Sequence, residues 1–187
     1  MRQRARKGWV RFAAMAVALA AACSATWAGK AHEHGVARLD IGVEAARITL
    51  NFELALEDLA GFERAPRTDA ERAAVQAALT RLRDAASLVH VDGAAGCTVA
   101  RTELVAPLWG EPAGAAAPVA GEAREGHGDL DARYEFKCSA GSKAGHIELQ
   151  LFEAFARLKR IEVQAVTARG QMKVVLRRPQ GRVALAR

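Results

Sequence analysis

His32-Glu33-His34-Gly35 is the part of the chain whose residue types and spacing best suit chemistry. In an extended segment, residues two apart point the same way, so His32 and His34 can converge on one ion. Imidazole suits Zn²⁺, Cu²⁺ and Ni²⁺, but two ligands leave a zinc site incomplete, since zinc takes about four. The sequence offers His127, His146 and His90 as completing imidazoles, with Glu33 or Asp129 as oxygen donors. The same pattern also fits an exposed His-x-His terminus that binds nothing, and spacing alone does not separate the two. An N-terminal copper or nickel clamp needs histidine in third place, whereas cleavage of a leader after Ala28 would make His32 fourth.

Signatures of catalysis are missing. There is no Gly-x-Ser-x-Gly elbow, no phosphate-cradling Gly-rich loop and no His-Glu-x-x-His. Glu57-Asp58 are adjacent, and as the end of a strand they point to opposite faces and form no acid/base pair. Once Cys23 goes with the leader, Cys97 and Cys138 remain. In an oxidising compartment an even pair reads as one disulfide, which removes both thiols as nucleophiles; two separate buried thiols are the alternative. The reading is of a non-enzymatic protein.

The charge is uneven along the chain. The 187 residues carry a formal net charge of +6, yet the first 28 hold five basic side chains (Arg2, Arg4, Arg6, Lys7, Arg11) and no acid. Without that segment, 22 basic residues face 21 acids, a net charge of +1. Such a balance argues against sequence-blind nucleic-acid binding, which draws its affinity from neutralised phosphates. The cationic start and the apolar run from Phe12 to Ala22 read as an export signal, too short for the roughly 20 residues of a membrane span. Thr26-Trp27-Ala28 favours cleavage after Ala28. Ala20-Ala21-Ala22-Cys23 raises a lipoprotein reading, against which Leu19 lies one residue early. The expected product, residues 29–187, is a single exported, periplasmic domain with no transmembrane span.

The elements that must position the histidines follow from periodicity. Val36 to Ala45 and Ile48 to Leu56 alternate as half-buried strands, joined as a hairpin near Glu44-Ala45-Ala46. A turn runs through Gly61-Phe62-Glu63-Arg64-Ala65-Pro66. Thr68-Asp69-Ala70-Glu71 is a capping box, and Val75, Ala78, Leu79 and Leu82 continue at helical spacing, predicting a helix over 69–86. Ser87 to Val91 reads as a short strand and Cys97 to Ala106 as a longer one. From Pro107 to Gly128 the chain turns to Ala, Gly and Pro, a flexible insertion. Further strands are expected from Asp129, Ile147, Ile161, Gln171 and Val183, with a helical turn at Phe152–Phe155. Placing Cys97 opposite Cys138 sets a hairpin register that puts Val99 and Val105 against Phe136 and Leu130. Thr98, Thr102 and Ala106 then oppose Lys137, Arg133 and Asp129. The fold class is α+β: a mainly antiparallel sheet, one long helix and one disulfide.

An ordered set of residues carries a family resemblance. His32-x-His34-Gly35, Gly61-Phe62-Glu63-x-x-Pro66, Gly96-Cys97, Tyr134-x-Phe136-x-Cys138, Leu151-Phe152-x-x-Phe155 and Gly170-Gln171 span nearly all of the mature chain. Together they look like the ZrgA-like family of exported proteobacterial proteins. The resemblance implies a periplasmic protein associated with zinc acquisition, working beside an inner-membrane zinc importer. It implies His32 and His34 as ligands and Cys97–Cys138 as a disulfide. Zinc-binding members carry a run of histidines and acids in the central insertion, whereas Pro107 to Gly128 offers only His127 with Glu111, Glu122 and Glu125. That composition implies one or two zinc sites rather than a reservoir. The leading expectation is divalent-metal binding, zinc above all, through His32 and His34 with help from His127 or His146. The alternative is a non-enzymatic protein-interaction module that uses no metal.

Overall fold

The computed structural model describes residues 33–111 and 128–185. The expected leader, His32, His127 and most of the insertion lie outside the described residues. Nine described strands form two sheets. β1 (Val36–Val43) and β2 (Arg47–Ala55) make the expected hairpin, with Ile41 opposite Leu50 and Leu39 opposite Phe52. β3 is Val89–Val91, β4 Cys97–Val105 and β5 Asp129–Cys138. β6 is His146–Leu149, β7 Arg160–Thr167, β8 Gly170–Arg177 and β9 Arg182–Ala184. The larger sheet runs β4-β5-β2-β1-β7-β8, and the smaller β3-β6-β9. All pairings are antiparallel except β1 with β7, which is parallel.

One face of the large sheet is the core. Leu39, Ile41, Leu50, Phe52, Tyr134, Phe136, Ile161 and Val163 alternate inward, as a half-buried sheet requires. Val89, Ile147, Leu149 and Val183 of the small sheet join the same cluster. Three short helical segments and one long one complete the fold: α1 (Leu56–Ala60), α2 (Asp69–Arg83), α3 (Ala85–Leu88) and α4 (Leu151–Ala154). The stripe Val75, Ala78, Leu79 and Leu82 of α2 is buried as the periodicity predicts. Tyr134 ties this helix to the sheet, its hydroxyl donating to the Leu82 carbonyl at 2.7 Å. No helix among the described residues is long and apolar enough to cross a membrane.

Four local differences from the sequence reading have physical causes. Helix α2 stops at Arg83 because Asp84 caps a new turn, accepting from the Ser87 N–H at 3.2 Å, so Ser87 and Leu88 are helical. Leu56 to Ala60 leaves the strand and coils into α1, closed by Gly61 in the left-handed conformation at φ 92°. In the β4–β5 hairpin, Cys97, Thr98 and Val99 pair as expected, but a bulge then shifts the register by one. Without it, Arg101 and Glu103 would stand opposite Tyr134 and Ala132. With it, Thr102 and Leu104 lie opposite the buried Tyr134 and Ala132. Finally, the start of the insertion is packed: Pro107–Trp109 is a 3₁₀ turn, Trp109 is buried, and Glu111 bridges back to Ala106. The Cys97–Cys138 disulfide is present, across 41 residues of sequence.

Candidate metal centre

His34 sits on the turn into β1, and four hydrogen bonds to the backbone of Gly35 fix the residue beside it. The Gly35 N–H donates to both carboxylate oxygens of Asp58, at 2.8 and 2.7 Å. Its carbonyl accepts from the N–H groups of Lys159 and Arg160 at 2.9 and 3.0 Å. Gly35 has φ 81°, a left-handed conformation that favours glycine. The imidazole is therefore carried on a backbone pinned to α1 and to the start of β7.

Helix α1 supplies the second side chain. Adjacent residues on a helix point about 100° apart, so Asp58 can turn inward to Gly35 while Glu57 reaches the imidazole of His34. The strand reading of this acidic pair is corrected by that turn. Its signal was legible: Leu56 and Leu59 at i,i+3, acids in a first turn and glycine directly after the last turn.

Glu63 is the third, on the loop between α1 and α2. Arg64 anchors the loop to the start of α2 with a two-point pair to Glu71, at 2.9 and 2.7 Å. Glu71 also accepts from the Arg67 N–H at 2.6 Å, and its own N–H donates to the Thr68 hydroxyl at 3.2 Å. The guanidinium of Arg64, followed by the Arg67 amide, holds the Glu71 carboxyl down to about 2. Phe62 packs on Trp109, ring centroids 6.2 Å apart.

The three side chains converge. His34 Nδ1 is 3.3 Å from Glu57 Oε2 and 3.4 Å from Glu63 Oε1, and one ligand atom from each residue lies within 4.8 Å of the others. Zinc bonds of about 2.0–2.1 Å at tetrahedral angles put ligand atoms roughly 3.3–3.4 Å apart, so two of the three edges already have the length of a zinc tetrahedron. One imidazole and two carboxylates form a three-ligand set that leaves a position open. The His34 side chain is 55% exposed, and those of Glu57 and Glu63 44% and 36%, so an ion can enter and leave without opening the core. Among the described residues no thiolate competes, because Cys97 and Cys138 are in the disulfide.

Charges of both signs surround the imidazole. Asp58, Glu57 and Glu63 place three carboxyl groups around one imidazole. Burial pushes the Asp58 carboxyl up, the Gly35 N–H and His34 oppose that, and Glu57 and Glu63 add to it. Arg157 and Lys159 border the group: a Cβ on Gly61 would stand 3.0 Å from the Arg157 guanidinium, and one on Gly35 3.0 Å from Lys159 Cδ.

The other expected ligands stand elsewhere. His146 lies on β6 in the small sheet, its Nδ1 3.4 Å from Asp92 Oδ2 and its Nε2 3.4 Å from the Arg182 guanidinium. Asp92 is already committed to the N–H groups of Ala94 and Gly145, which, with His146 and Arg182, keep its carboxyl below the usual range. His90 faces Glu148 across β3 and β6. Glu33 is held by Arg160 at 3.0 and 2.7 Å. Asp129 opens β5 opposite Ala55. Among the described residues, the metal-competent group is His34, Glu57 and Glu63.

Compared with known proteins, the sequence matches the ZrgA family of zinc uptake proteins over residues 31–185. The chain belongs to this family. No curated protein matches it. Membership in the ZrgA family gives a zinc-related role to a chain whose described residues hold a His/Glu group of zinc-like spacing.

Proposed function

We propose that this ZrgA-family chain is a periplasmic, non-catalytic protein that takes up one zinc ion as cargo through His34, Glu57 and Glu63. The observation that carries the reading is the convergence of three side chains, from β1's leading turn, α1 and the following loop, at zinc-like separations. Glu57 and Glu63 supply charge, His34 supplies the borderline-soft nitrogen, and the open side lets water or a partner's ligand fill the remaining position. An exposed three-ligand site suits exchange, which fits delivery to an inner-membrane importer better than storage. His32 and His127 join the reading as additional ligands expected from sequence. His146 has Asp92 and Arg182 as its partners and plays no part in it.

Calorimetric zinc titration of the oxidised chain tests this. The expected result is saturable binding near one ion per chain, at about micromolar affinity or tighter, lost in His34→Ala and weakened in Glu57→Gln and Glu63→Gln. His32→Ala and His127→Ala, titrated alongside, show whether those imidazoles contribute. Unchanged affinity in the His34→Ala/Glu57→Gln/Glu63→Gln variant would sink the proposal.

A further inference from the structure

The two described ends of the central insertion close on the loop that carries Glu63. On one side, the Trp109 ring backs Phe62 at 6.2 Å. On the other, the Gly128 carbonyl accepts from the N–H of Leu56, the first residue of α1, at 2.7 Å, and Gly128 lies directly against Glu63. A Cβ placed on Gly128 would fall 2.8 Å from Glu63 Cβ and 3.1 Å from both its Cγ and Cδ. An overlap at the root of a side chain is not relieved by rotating its tip. Gly128 is outside the left-handed region, so what this position demands is close approach and not an unusual backbone.

We infer that Gly128 is a positioning residue for metal binding, its bare backbone fixing where the Glu63 carboxylate stands relative to His34 and Glu57. The inference rests on the metal reading of that group. A side chain at 128 must push the loop of residues 61–66 away. The loop has little room to retreat, because Phe62 is seated on Trp109 and Arg64 is held by Glu71 at 2.7 Å. The displacement therefore falls on Glu63, the one member of the group that stands on this loop. Gly93, where an added Cβ meets nothing within 4 Å, provides the matched control.

The test is a double-mutant cycle read by zinc calorimetry on the full chain: wild type, Gly128→Ala, Glu63→Ala and the pair, with Gly93→Ala alongside. Gly128→Ala is expected to weaken zinc by about 10- to 100-fold, the range seen when groups that orient ligands are changed. It should weaken it no further in the Glu63→Ala background, and Gly93→Ala should bind as wild type. Equal loss in both backgrounds, or no loss in either, overturns the inference. If Gly128→Ala does not fold, it is repeated in the Glu63→Gly background, which removes the side chain the new Cβ would meet: recovered folding supports the close approach, and a protein that still does not fold overturns the inference. A wild type that binds no zinc overturns the metal reading itself, whereas zinc binding without coupling to Glu63 overturns only the role of Gly128.

Discussion

At the scale of single residues, Asp58 positions the candidate site from outside the His34, Glu57 and Glu63 group. It is 5% exposed and accepts the Gly35 N–H with both oxygens, so it holds the turn on which His34 stands. Asp58→Ala leaves that amide without its partner, which should cost about 1–3 kcal/mol in urea unfolding and weaken zinc by about 10-fold or more. Zinc affinity at the wild-type level in a folded Asp58→Ala protein would refute this orienting role. His34 was legible in the sequence because a His-x-His pair before a strand is a compact local signal. Glu57 and Glu63 were not recognised, because a carboxylate becomes a ligand only through where the chain puts it. Glu57 needed α1 to replace the end of a strand, and Glu63 needed a loop folded back to the turn carrying His34.

The start of α2 and the β5 strand supply tests at the scale of elements. The Glu71 carboxyl, ordinarily near 4.5, is held down to about 2 by Arg64 and the Arg67 N–H. A depressed carboxylate contributes stability above its unfolded value and loses it as pH falls through its folded one. Stability should therefore drop between about pH 4.5 and pH 2 in the wild type, and Glu71→Gln should flatten that part of a thermal-midpoint-against-pH curve. An identical slope in both proteins would contradict the assignment. Asp58 works in the opposite direction: its raised carboxyl binds a proton more readily in the folded chain, so it opposes folding as pH rises through its own range. On β5, Tyr134→Phe removes the bond to Leu82, and equilibrium unfolding should show a loss of about 1 kcal/mol. Alternation made nearly every strand legible to within a few residues. The bulge after Val99 was harder to read, because a register argued from two cysteines gives no sign that Arg101 and Glu103 must be turned outward later.

For the whole molecule, the disulfide and the placement of the site belong to different ends of one hairpin. Cys97 and Cys138 are the first pair of β4 and β5, whereas the far end of that pairing leads into the insertion and Gly128. Closing 41 residues should contribute about 4 kcal/mol by chain-entropy arithmetic. Cys97→Ser/Cys138→Ser should lose about that much in urea, while zinc stoichiometry in the folded variant stays at the wild-type value. Loss of zinc binding from a folded variant would show that the two ends are coupled. The α+β class, the long helix and the disulfide could be read from local pattern and cysteine count. The parallel pairing of β1 with β7 and the separation into two sheets could not, since alternation marks a strand without naming its neighbour. That pairing brings Lys159 and Arg160 to Gly35 and so helps to build the site. The most direct measurement of the central claim is a crystal structure of the zinc-loaded chain with diffraction recorded at the zinc edge. The account predicts an anomalous peak about 2.0–2.2 Å from His34 Nδ1 and from carboxylate oxygens of Glu57 and Glu63. A zinc peak bound elsewhere, with those three side chains left unliganded, would contradict it.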